Sequence, residues 1–129
     1  MPSWTEILNA LTSLPTDEER NAQLISETRR YMDLLSKKRN GSNIIVYASS
    51  FLQKPTIQPY LTQLTSEEIN GFMAVMRGMD WEKGLTLVLH TPGGSINAAE
   101  TIVSYLHQKF QNIEVIIPTF AMSAGTMIS

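Results

Sequence analysis

A chain of 129 residues has room for one domain and one modest core. An apolar fraction of 43% and a charged fraction of 17% exclude wholesale disorder, and a net charge of −2 offers no basic surplus for neutralising nucleic-acid phosphates. The absence of cysteine excludes disulfides, thiolate metal sites and a cysteine nucleophile together.

The chain opens Met1-Pro2-Ser3-Trp4-Thr5-Glu6, with neither the basic nor the apolar region of a signal peptide. Its apolar runs, Ile44–Ala48, Leu85–Leu89 and Val115–Ile117, fall far short of the roughly 18 residues a membrane helix needs. A cytoplasmic location without a membrane span is therefore expected. Ser3 and Glu6 have capping-box spacing for a short helix through Leu11. Thr16 and Glu19 repeat that signal for a second helix, with Leu24, Ile25, Thr28, Tyr31, Met32 and Leu35 at helical spacing. Lys37-Lys38-Arg39 suits its carboxyl end and Asn40-Gly41 its stop.

Asn43–Ser49 is rich in β-branched and aromatic residues and reads as a buried strand. Phe51–Leu64 holds Pro55 and Pro59, keeps no period and reads as a binding or mobile loop. Thr65 and Glu68 open a third helix, with Ile69, Phe72, Met73, Met76 and Met79 on its core face. Trp81–Gly84 turns into the strand Leu85–Leu89. Then come His90-Thr91-Pro92-Gly93-Gly94-Ser95, a helix marked by Ile96, Ala99, Val103, Leu106 and Phe110, and the strand Ile113–Ile117, closed by Pro118. This alternation predicts an α/β fold with parallel strands and right-handed crossovers. Residues 1–42 form its helical amino-terminal region and 43–129 its α/β core.

Two strand ends hold candidate chemistry. At the first, adjacent glycines allow a sharp turn with positive φ and keep side chains away from whatever approaches the amide N–H groups. A helix capped by Ser95 follows. The turn fits an oxyanion or phosphate site and also a purely structural bend. At the second, Phe120-Ala121-Met122-Ser123-Ala124-Gly125-Thr126 surrounds one serine with small residues where a strand passes into a helix. Such a serine exposes its hydroxyl as in a nucleophile elbow, although G-x-S-x-G itself is absent. A packed helix start is the alternative. His107 falls on the polar face of its helix. His90 reads as fixing the turn through hydrogen bonds rather than as a base. Two histidines without a nearby carboxylate pair do not make a zinc site.

Taken together, HTPGG and AMSAGTMI, about thirty residues apart, resemble the Clp-protease/crotonase superfamily, and most closely the serine dehydrogenase proteinase and signal peptide peptidase A-like families within it. The resemblance is carried by Leu85–Ile128. It implies a Clp-protease/crotonase-like fold, a cytoplasmic serine peptidase that works without ATP on proteins or peptides, and assembly into homo-oligomers. It makes Ser123 the nucleophile, and Gly93, Gly94 and Ala124 the oxyanion hole, with the N–H groups of Gly93 and Ala124 as donors. It calls for no cofactor and no metal. In such families a lysine, or a histidine with an acid, follows the serine. Only six residues follow Ser123 here, so the chain reads as the amino-terminal portion of a longer protein, incomplete at its carboxyl end and inactive alone. A crotonase-type acyl-CoA enzyme uses the same pair of amides without needing a serine there. A non-catalytic assembly subunit is the third reading, favoured if no base follows.

Overall fold

Ser3 accepts a hydrogen bond from the Glu6 amide, and the Glu6 carboxylate reaches back to the Ser3 amide at 2.6 Å, completing the first capping box. From this cap runs α1, Trp4–Thr12, in a computed structural model that describes residues 2–129. Thr16 caps α2, Asp17–Lys38, through the Glu19 amide. Acidic residues fill the first turn of α2 and lysines its last, each complementing the helix dipole. Asn40 and Gly41 end it with positive φ, as expected. Neither helix contains a buried residue. The apolar stripe of α2 instead leaves Ile25 half exposed, and partly covers Tyr31, Met32 and Leu35.

The sheet is fully parallel, in the order β1–β2–β3: Asn43–Ala48, Leu85–His90 and Ile113–Ile116. Asn43 lies opposite Leu85, and Leu85 opposite Ile113. The strand–helix–strand spacing demands this arrangement, since a parallel partner is reached only by a crossover. The crossovers are α3, Glu67–Met76, between β1 and β2, and α4, Ile96–Lys109, between β2 and β3. Central β2 is nearly all buried, with Leu85, Leu87 and Leu89 in the core beside Ile45, Phe72, Met76, Ala98, Ala99, Ile102 and Leu106.

Four apolar positions depart from their expected places. Met73 is exposed, because the core face of α3 is narrower than its methionine spacing implies, carrying Phe72 and Met76 buried and Ile69 partly so. Met79 does pack on the core, but from beyond the helix, which ends before Gly78. Ile96 sits exposed in the first turn of α4, and Phe110 caps that helix from past its end, buried with its ring 5.3 Å from that of Trp81. The final helix, α5, covers Ala124–Ile128 and packs on α4. Among the described residues, no helix is long and apolar enough to cross a membrane.

Candidate active site

The carboxyl ends of β2 and β3 lie side by side, and the turns that leave them are stitched together. Thr91 donates its amide to Phe120 O at 3.0 Å and accepts from the Met122 amide at 3.1 Å, a parallel bridge opposite Ala121. The Gly-Gly turn and the serine segment, thirty residues apart in sequence, therefore meet.

Ser123 stands at the meeting point with φ 51° and ψ −127°. An L-residue holds such a backbone at a cost of order 1–3 kcal/mol, and only where its surroundings impose it. The surroundings here are the Thr91 bridge before Ser123 and α5 behind it, where Gly125 donates to Met122 O and Thr126 to Ser123 O. The serine caps α5 without using its side chain, and the residue is exposed. Among the described residues its hydroxyl makes no hydrogen bond, so the strain presents a free oxygen, as in a nucleophile elbow.

Gly93 packs directly against this elbow. A Cβ on it would lie 2.7 Å from Ser123 Cβ and 3.0 Å from the Ala124 nitrogen, and would strike Met122 O, so no side chain fits. Its φ of 90° is equally a glycine conformation. The Gly93 amide is already used: it donates to Thr91 Oγ1 at 3.1 Å in a buried bond. The Gly93 carbonyl accepts from Leu64 at 2.7 Å, and Leu64 O accepts from Ser95 at 2.8 Å. Leu64 thus forms a one-residue parallel bridge to Gly94, where any Cβ would run into the Leu64 backbone. Because the Gly93–Gly94 peptide is trans, its N–H points opposite to the carbonyl bound by Leu64. The amides of Gly94 and Ala124 donate to no acceptor among the described residues.

The geometry brings Ser123, Gly93, Gly94 and Ala124 into one cluster. It also adds two residues that the sequence did not single out. Thr91 is completely buried, and Leu64 is the sole buried residue of the irregular Phe51–Leu64 segment. A threonine before Pro-Gly-Gly gave no signal of its own for the first, since its burial is set by the fold. Nothing local pointed to the second. His90 departs from its expected role: its Nδ1 is buried without a hydrogen-bond partner, and the ring is held by stacking on Phe51 at 5.1 Å. His107 is exposed near the end of α4, as expected.

Comparison with known proteins covers nearly the whole chain. Residues 5–129 match the family described as ClpP-like SDH-type serine proteinase. Two uncharacterized proteins of Methanocaldococcus jannaschii are similar over 98 residues each: MJ0137 at 35% identity, covering 74% of this chain and 33% of the relative, and MJ1495 at 33% identity, covering 72% and 32%. The chain spans about a third of the length of these relatives. No solved structure matches it.

Proposed function

The chain belongs to the ClpP-like SDH-type serine proteinase family, and from that premise we propose that it carries the nucleophile and oxyanion hole of a serine peptidase. Ser123 is the nucleophile. The carrying observation is its strained backbone with an unengaged, exposed hydroxyl. Two amides serve as oxyanion donors. One is that of Ala124, the residue after the nucleophile. The other belongs to the Gly-Gly turn, and there we assign the role to Gly94, since the Gly93 amide is committed to Thr91. Gly93 contributes the side-chain-free approach to Ser123.

In the reaction, Ser123 Oγ gives its proton to a base and bonds to the carbonyl carbon of the scissile peptide. The carbonyl π electrons move to oxygen, which settles between the two amides. Collapse of this adduct breaks the C–N bond, the amine leaves with the proton held by the base, and water hydrolyses the acyl ester by the reverse roles. One such donor lowers the barrier by about 3–4 kcal/mol. No lysine or histidine bonds to Ser123 among the described residues. We assign the base to a part of the protein outside residues 1–129, which by themselves should hydrolyse nothing. Substrates are proteins or peptides, recognised mainly through main-chain hydrogen bonds beside the Gly-Gly turn. Assembly into homo-oligomers and a cytoplasmic location complete the proposal.

The test is covalent labelling of the intact protein by a fluorophosphonate. Wild type should take the label at Ser123, and Ser123→Ala should take none. Equal labelling of both would place the nucleophile elsewhere. No labelling of either would favour the acyl-CoA reading, in which the amide pair acts without a serine.

A further inference from the structure

We propose that Thr91 is a positioning residue that sets the oxyanion hole from both sides at once, by aligning the Gly-Gly turn through its hydroxyl and the serine elbow through its backbone and methyl. The inference rests on the peptidase reading and adds to it a residue that touches neither substrate nor nucleophile.

Four contacts of one buried residue support this. The Thr91 amide and carbonyl bond to Phe120 and Met122, so the backbone entering the elbow is fixed relative to β2. Thr91 Oγ1 accepts the Gly93 amide at 3.1 Å. This bond takes the Gly93 N–H out of contention as a donor and fixes the rotation of the peptide planes that follow, including the one carrying the Gly94 N–H. The Thr91 methyl lies where Gly125 offers only a hydrogen: a Cβ on Gly125 would be 2.5 Å from Thr91 Cγ2. The elbow helix thereby seats against the same side chain that holds the turn. The residue is fully shielded from solvent, so no water competes for its hydroxyl.

Both donors of the hole are thus referred to a single side chain. A peptide plane turned by a few tens of degrees misdirects its N–H, and oxyanion stabilisation is lost with little change in ground-state binding. The kinetic signature is therefore a fall in kcat at nearly constant KM. A residue that merely filled space would be replaced by an isostere without that signature.

Thr91→Val keeps the shape and removes the acceptor, whereas Thr91→Ser keeps the acceptor and removes the methyl. Two measurements on the intact protein decide the matter. First, hydrogen exchange at the Gly93 amide should quicken by about tenfold or more in Thr91→Val and stay close to wild type in Thr91→Ser. Unchanged exchange in Thr91→Val would mean that the bond does not hold the turn, and the inference would fail whatever the chemistry of Ser123. Second, with dye-labelled casein as substrate and fluorophosphonate titration to count active sites, Thr91→Val should lower kcat per site by about tenfold or more, leaving KM near wild type. Thr91→Ser should recover most of that loss. A labelled wild type with unchanged kcat per site in Thr91→Val sinks this inference alone. A wild type that takes no label at Ser123 removes the peptidase reading and the catalytic role of Thr91 with it.

Discussion

Single atoms decide the character of this site. Gly125 is present because of one methyl: Gly125→Ala would force its Cβ against Thr91 Cγ2, an overpacking expected to cost about 1–3 kcal/mol. Thr91→Ser removes the opposing methyl. The double variant Thr91→Ser/Gly125→Ala should therefore melt above Gly125→Ala, even though Thr91→Ser alone melts below wild type. A double-mutant cycle by thermal melts checks this, and strict additivity would show that the two groups do not meet. Ser123, the two glycines and Ala124 stood out in the sequence as turn chemistry, but each segment alone also fitted a structural bend or a packed helix start, and only the resemblance carried by HTPGG and AMSAGTMI joined them into one candidate site. Thr91 and Leu64 were not legible as parts of the site. Their roles depend on partners on separate turns, and on hydrogen bonds between backbones that no side-chain pattern records.

At the level of elements, the alternation of strands and helices was readable throughout, because caps and stops such as Ser3, Thr16, Gly41 and Ser95 are written in short-range chemistry. Which face each helix buries was less so. The methionines of α3 satisfy helical spacing on both sides of its true core stripe, so Met73 reads like Met76 until the neighbouring strand is known. Tyr47 of β1 shows what that packing does to a titratable group. Its ring lies 5.7 Å from Phe72 of α3, and its phenol is pushed up to about 12, chiefly by burial, with the charge of Glu68 adding and the Thr91 hydroxyl pulling the other way. A raised pKa means that the folded state holds this proton more tightly than the unfolded chain does. Its stabilising effect is whole below pH 10.0, the ordinary value, and is lost as pH rises toward about 12. Melting temperatures taken across that window should fall more steeply for wild type than for Tyr47→Phe. Parallel curves would show that the phenol titrates as it does in water.

Across the whole molecule, burial is uneven. The core gathers around β2, α3, α4 and α5, while α1 and α2 contribute no buried residue to it. The base of this helical arm is tied to the body by polar contacts: Ser36 Oγ donates to Ser42 O at 2.7 Å, and Arg39 pairs with Glu114 of β3 at 2.9 Å. A pair as exposed as the second is worth about 0–1 kcal/mol. Amides of α1 and α2 should thus exchange with solvent through openings of lower free energy than those of β2 and α4, measurable by native-state hydrogen exchange. Equal protection in both regions would show that the arm and body open as one. The arm also bears on what a denaturation curve of this protein means. Helix-sensitive circular dichroism of residues 1–129 is weighted toward the 22 residues of α2, whereas hydrogen exchange of the β2 amides reads the body alone. The two probes should give different midpoints in urea, the optical one lower, so that a single unfolding free energy fitted to either would describe only part of the chain.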